Sequence, residues 1–256
     1  MTIAAPVIIL VHPQLVENIG MTARAMANCA LTEMRIVAPR DPWPLGDIHR
    51  QRMMAASSGA DDILENAKHY DTVEAAIADL NHVYATTSRE NDMTNRIMTP
   101  RAAIPEMVER VRDGQKVGVL FGPERMGLIN DYIAMAGTKI TIPLNPAFMS
   151  LNLAQCVLLI GYEWYQANDS TPENQIRVGK SRPANREEYQ NFYDRLEKEL
   201  DVAGFFVAEA MRPTMTHNLQ AALQRAEMTE QELRTWHGVI SALIDGPKRG
   251  AGKKNG

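Results

Sequence analysis

Three short stretches of this chain set polar, chemically capable residues into otherwise apolar surroundings. The first is NIGMTARAM, residues 18–26, with Asn18, Gly20 and Arg24 at helical spacing. The second is VLFGPERMGL, residues 119–128, where an apolar run stops at Gly122 and Pro123 and Glu124 follows. The third is KITIPLNPAFMSLNLA, residues 139–154, where Ser150 and Asn152 stand just before a long apolar segment. Each residue has an ordinary reading and a chemical one. Arg24 is either a solvated helix residue or a phosphate anchor, its planar fork being suited to anionic oxygens. Asn18 is a polar residue at a helix start. Gly122 is either a strand-end turn or a place where the backbone closes on a ligand. Glu124 either faces solvent or orients a neighbour. Ser150 and Asn152 either cap the next helix or mark a helix start whose free N–H groups meet a carboxylate or phosphate.

Such residues act together only if the elements between them bring them to one place. Short apolar runs predict strands at 6–11, 34–38, 82–87, 116–121 and 139–144. Helical periodicity predicts helices at 16–30, 48–56, 72–80, 100–112, 131–136 and 151–166. In the first of these, Ile19, Ala23, Met26 and Ala30 form the apolar stripe. Strands alternating with helices give the α/β class, with a mostly parallel sheet covered on both faces. Every candidate loop then follows the carboxyl end of a strand, where open parallel sheets bind ligands. These loops are Thr86, Thr87 and Ser88, then 122–124, then 142–151. None carries GxGxxG or the P-loop lysine, which disfavours a dinucleotide or a triphosphate. Composition and spacing alone lead to an α/β enzyme with a nucleotide-like ligand.

The 256 residues suit one large domain, or a medium domain with an appendage. At 45% hydrophobic and 23% charged, a core is readily built, and a net charge of -4 argues against a broadly basic nucleic-acid binder. Cys29 and Cys156 read as reduced core residues, and two cysteines with six histidines show no metal spacing, so no metal is expected. The start lacks signal-peptide features and no apolar run is long enough to span a bilayer, so a soluble, reducing, cytoplasmic setting is expected. Residues 1–166 form the main domain and 167–188 a polar, turn-rich linker. Helices at 189–200, 216–225 and 229–243 build an extension over 189–245, the last opening on a Thr229–Glu232 capping box. The glycine-rich basic tail, 246–256, is expected to be disordered.

Taken together, the three stretches resemble the signature of the SPOUT superfamily, in its 2'-O-ribose methyltransferase branch. Asn18, Gly20 and Arg24 match the first motif, residues 121–128 the second and 142–154 the third, in the right order along an alternating α/β pattern. The resemblance covers about residues 5–166. Residues 202–206 and 225–243 are similar to the extension of the bacterial tRNA (cytidine/uridine 32) 2'-O-methyltransferases. The resemblance implies a deep trefoil knot, with the segment around 142–150 passing under a loop before the last helix docks. It implies a homodimer with its active sites at the interface between the knots. It also implies S-adenosyl-L-methionine bound by Thr86, Thr87, Ser88, Gly122, Ile142, Met149, Ser150 and Leu151. The implied reaction is metal-free methylation of a tRNA ribose at pyrimidine 32 of the anticodon loop. Arg24, Asn18, Glu124, Ser150 and Asn152 would be its catalytic set. Ribosomal RNA is the alternative acceptor, and a non-catalytic RNA-binding protein of the same fold is a further alternative. Ala30 stands where many relatives have glycine. The extension is less basic than expected, with Arg225 the only fixed positive charge in HNLQAALQRAE. Arg50, Arg52, Arg177, Lys180, Arg182, Arg186 and the tail could compensate, and Arg89 could also face RNA.

Overall fold

The apolar run of β1 (Val7–Val11) is buried at all its positions, as a strand covered on both faces must be. In the computed structural model, which describes residues 4–87, 96–174 and 179–246, its side chains divide by alternation. Ile8 and Leu10 enter one core cluster, while Val7, Ile9 and Val11 enter the other. Six further strands complete the sheet: β2 (Met34–Val37), β3 (Lys68–Tyr70), β4 (His82–Thr86), β5 (Ile97–Met98), β6 (Val117–Phe121) and β7 (Thr138–Ile140). Their order is β3-β2-β1-β6-β4-β7-β5, and every neighbouring pair is parallel.

Helices α1 (Val16–Asn28), α2 (Asp47–Ser57), α3 (Asp61–Glu65), α5 (Pro100–Arg112) and α7 (Leu153–Asn168) supply the larger cluster. The smaller one takes α4 (Val73–Ile77) and α6 (Asn130–Ala134). Gly20 sets the closeness of α1 to α2: a Cβ there would lie 2.1 Å from the Met53 carbonyl oxygen. This glycine serves helix packing.

Several sequence expectations are corrected. Helix α1 stops at Asn28, and Ala30 is exposed at φ 54° rather than on the apolar stripe. It holds the left-handed position after the helix, where the Leu31 N–H returns to the Met26 carbonyl and the Ala30 N–H to Ala27. Strand β7 ends at Ile140, four residues earlier than expected. Pro143 has no N–H to continue a ladder, and residues 141–152 run irregularly to α7. Strands β3 and β5 and helix α3 add elements that periodicity did not reveal.

A charged cluster closes the amino ends of the strands, opposite the candidate loops. The fully buried Arg35 donates to Glu33 Oε1 at 2.6 Å, Asp79 Oδ1 at 2.5 Å and the Ala76 carbonyl at 2.5 Å. Lys116 Nζ reaches Asp79 Oδ2 at 2.8 Å. The Arg35 hydrogen bond, helped by one from Lys116 and opposed by burial, holds the Asp79 carboxyl well below the usual carboxylate range.

The chain divides into two compact units, Met1–Thr171 and Pro172–Gly256. The second contains α8 (Arg186–Val202), a 3-10 turn (Glu209–Met211), α9 (Arg212–Arg225) and α10 (Glu230–Asp245). Its core is Phe192, Met228, Leu233 and Ile240. Asn185 with Glu188, and Thr229 with Glu232, form capping boxes on α8 and α10. Among the described residues no helix is long and apolar enough to cross a membrane.

Candidate active site

Strand β6 ends in a loop that doubles back on itself. A Cβ at Gly122 would lie 2.3 Å from the Leu128 nitrogen and 2.4 Å from the Gly127 carbonyl carbon, so only glycine fits there. The fold-back carries Glu124 to the start of α1. Its Oε2 accepts from the Gln14 N–H at 3.0 Å, and its Oε1 from the Leu15 N–H at 3.3 Å and from Asn18 Nδ2 at 2.6 Å. Leu15, the residue before α1, offers no capping side chain. Glu124 supplies acceptors at this helix entrance from a distant loop.

Asn18 extends the chain of hydrogen bonds. It is 2% exposed, and its Oδ1 accepts from Asn152 Nδ2 at 3.0 Å. Asn152 in turn caps α7: its Oδ1 accepts from the Ala154 N–H at 2.9 Å, and its own N–H reaches Gln155 Oε1 at 3.3 Å. The three stretches singled out in the sequence are therefore joined as Glu124–Asn18–Asn152.

Beside this chain opens a cavity of about 310 Å³, within the range of small-molecule sites. Thr86, Thr87, Gly122, Ile142, Met149, Ser150 and Leu151 line it, as does Glu124. Ser88 and Arg89 lie outside the described residues. Ile140, Leu144, Leu153, Met126 and Cys156 also line it and were not anticipated as site residues. Periodicity reads them as core or loop, and only the irregular course of 141–152 turns them toward one space. Thr86 Oγ1 donates to the Leu120 carbonyl at 2.9 Å, and Thr141 Oγ1 to the Thr87 carbonyl at 3.0 Å. Burial pushes the Cys156 thiol up to about 12, so it is a neutral part of the wall. Among the described residues, the backbone N–H groups of Ile142, Leu144, Met149, Ser150 and Leu151 have no protein partner. An apolar wall edged by free backbone donors suits a heteroaromatic ring and its polar substituents.

Arg24 is placed elsewhere. It is exposed, donates to Ser58 Oγ at 3.3 Å, and does not line the cavity. His12, not singled out from the sequence, braces the site from behind. At φ 49°, its Nδ1 meets the Ala38 carbonyl at 2.9 Å and its Nε2 the Tyr132 hydroxyl at 3.0 Å. These contacts fix the loop that delivers Gln14 and Leu15 to Glu124. Among the described residues, no group of three His, Cys, Asp or Glu side chains could hold a metal ion.

A parallel sheet with a cavity at the carboxyl ends of its strands is the frame of an enzyme that holds a small ligand. Residues 5–162 match the SpoU rRNA methylase family, and the chain belongs to it. A crystal structure of TrmJ from Z. mobilis ZM4 is similar to this chain at 44% identity and TM-score 0.80, over 94% of this chain and 99% of that one. The tRNA (cytidine/uridine-2'-O-)-methyltransferase TrmJ of Sodalis glossinidius is 30% identical over 244 residues, covering 92% of this chain and 90% of the relative. An AdoMet-bound rRNA methyltransferase from Sinorhizobium meliloti shares the fold at 18% identity and TM-score 0.50, over 66% of this chain and 59% of that one.

Proposed function

We propose that this protein methylates the ribose 2'-oxygen of a tRNA pyrimidine, at position 32 of the anticodon loop, using S-adenosyl-L-methionine. The observation that carries this reading is the Glu124–Asn18–Asn152 chain, which ties three motif stretches to the rim of one cavity. Family membership and the 2'-O-methyltransferases among the relatives support it. Ile140, Ile142, Leu144 and Leu153 would pack on the adenine of the cofactor, and the free N–H groups of 149–151 would meet its polar edge. When bound, the cofactor supplies an electrophilic methyl group on sulfonium sulfur.

The protein's part is to place a ribose hydroxyl in line with that methyl group and to keep water out. Ser150, exposed at the cavity rim, is free to hold the ribose. Asn18, Asn152 and Glu124 are committed to each other and act by positioning. Arg24 would anchor an RNA phosphate whose oxygen takes the proton lost by the ribose hydroxyl, and its charge would stabilise the oxygen as that proton leaves. A guanidinium stays protonated in water, so anchoring is favoured over service as a base.

Arg24 lies outside its own protomer's cavity, which fits a site completed by a second copy. Leu158, Leu159, Tyr162 and Tyr165 on α7 and Met21 on α1 are exposed, and an apolar face of this kind supports a homodimer. The trefoil knot of the superfamily belongs to the same proposal, with 142–150 as the threaded segment. Ribosomal RNA is the second acceptor class, favoured by the family to which residues 5–162 belong.

Calorimetry with S-adenosyl-L-methionine, with NAD and ATP as controls, tests the cofactor. Saturable binding of the first alone is expected, and its absence would sink the reading. Arg24→Ala should keep that binding and lose methyl transfer. Normal turnover by this variant would remove Arg24 from the catalytic set.

A further inference from the structure

The C-terminal unit holds a second cavity of about 310 Å³ between α8 and α9, well separated in sequence from the site above. Tyr193, 6% exposed, and the half-buried Tyr189 line it. Both phenol hydroxyls are occupied. Tyr193 donates to the Thr216 carbonyl at 3.1 Å, and the Tyr189 hydroxyl is bonded to the Met228 backbone. What the half-buried Tyr189 offers a ligand is therefore its ring, while the buried Tyr193 forms part of the cavity floor. His217 and Gln220 also line the cavity, and among the described residues their side-chain polar atoms have no protein partner. The exposed Arg186 stands at the edge, its side chain tied among the described residues only to Gln224 Oε1 at 3.4 Å.

We infer that this cavity binds one unstacked nucleotide. A base would lie against the Tyr189 ring, since every base has a π-face and aromatic stacking is how single-stranded RNA is held. The free amide of Gln220 and imidazole of His217 would meet the base edge, and the Arg186 fork its phosphate. The volume suits one nucleotide and excludes a duplex. The unit's helices are not strongly basic, so capture of a single base, rather than a wide electrostatic surface, gives the extension its hold. That the nucleotide belongs to RNA rests on the RNA-methylation reading. A free mononucleotide carries the same chemistry.

The test uses the full chain with Ala221→Trp, which fills the cavity from an exposed helix position, and Gln220→Ala, which removes an edge contact. Melting curves and S-adenosyl-L-methionine calorimetry establish that each variant is folded. Affinity for an unmodified tRNA transcript is then measured by filter binding, and affinity for cytidine and uridine 5'-monophosphates by calorimetry. For Ala221→Trp, tRNA binding about tenfold weaker is expected, the size of one lost base–aromatic stack. Gln220→Ala should fall in the same direction by less. Saturable mononucleotide binding abolished by Ala221→Trp, with tRNA binding unchanged, would keep the nucleotide site and overturn RNA as its source. If neither ligand responds to either variant, the inference is wrong. The binding arms need no turnover. A wild-type protein that binds tRNA through this cavity yet transfers no methyl group would refute the enzymatic reading and leave the cavity standing.

Discussion

Glu124 gathers three donors from residues far away in the chain. Glu124→Gln keeps the shape but turns an amide N–H₂ toward one of those donors. Leaving a partly buried donor unpaired costs about 1–3 kcal/mol. The expected result in urea denaturation is a loss of that size, with weaker cofactor binding because the loop also lines the cavity. Unchanged stability and unchanged cofactor affinity would show that the chain of hydrogen bonds is incidental. The residue types of this chain were legible in the sequence, but the pairing was not. Asn18 stands 106 positions from Glu124 and 134 from Asn152, and nothing local in an asparagine at a helix start says that it is buried. Arg24 shows the reverse case. Its chemistry is visible in its type, while its place outside the cavity appears only in the fold.

At the scale of elements, helix α1 is fixed against α2 through Gly20. Gly20→Ala would drive a methyl group into the Met53 carbonyl, and backbone cannot yield as a flexible side chain does. Overpacking of this kind costs about 1–3 kcal/mol, to be read as a lower denaturation midpoint with an unchanged slope. The Arg35 cluster holds the opposite edge of the sheet. Asp79 has its folded pKa depressed by Arg35, so its contribution is present above the unfolded aspartate pKa of about 3.9 and is lost as pH falls below it. The Asp79 side chain is 53% exposed, so solvent limits the effect to about 1 kcal/mol or less. Asp79→Asn should be less stable than wild type at pH 7, and the gap should close below about pH 4. A gap independent of pH would assign the effect to packing.

The long elements were readable because burial on both faces leaves continuous apolar runs, as in β1 and β6. The three residues of β3 and the two of β5 are too few for any period to register. Ala30 matched the helical stripe by spacing, yet the chain had already turned left-handed after α1. The early end of β7 follows from Pro143, and that departure from regular structure makes the cavity wall.

At the scale of the molecule, the exposed α7 face and the outlying Arg24 are the observations on which the proposed homodimer rests. Light scattering of the purified protein should give twice the chain mass, and Leu159→Lys should shift it toward one chain mass with loss of methyl transfer. A fully active single chain would require Arg24 to reach the cavity within one protomer. The alternating elements made the α/β class legible, and the capping box at Thr229 made the start of α10 legible. The loops that line the first cavity were legible too, though its apolar wall was not, and the second cavity, built from side chains of α8 and α9, was not.

The most direct measurement incubates the protein with radiolabelled S-adenosyl-L-methionine and unmodified tRNA transcripts, with ribosomal RNA in parallel. Nuclease digestion and mass spectrometry then locate the label. A 2'-O-methylated pyrimidine at position 32 of the anticodon loop is the expected product. Label on a base instead of a ribose, or no transfer to either RNA by protein that binds the cofactor, would contradict the proposed function.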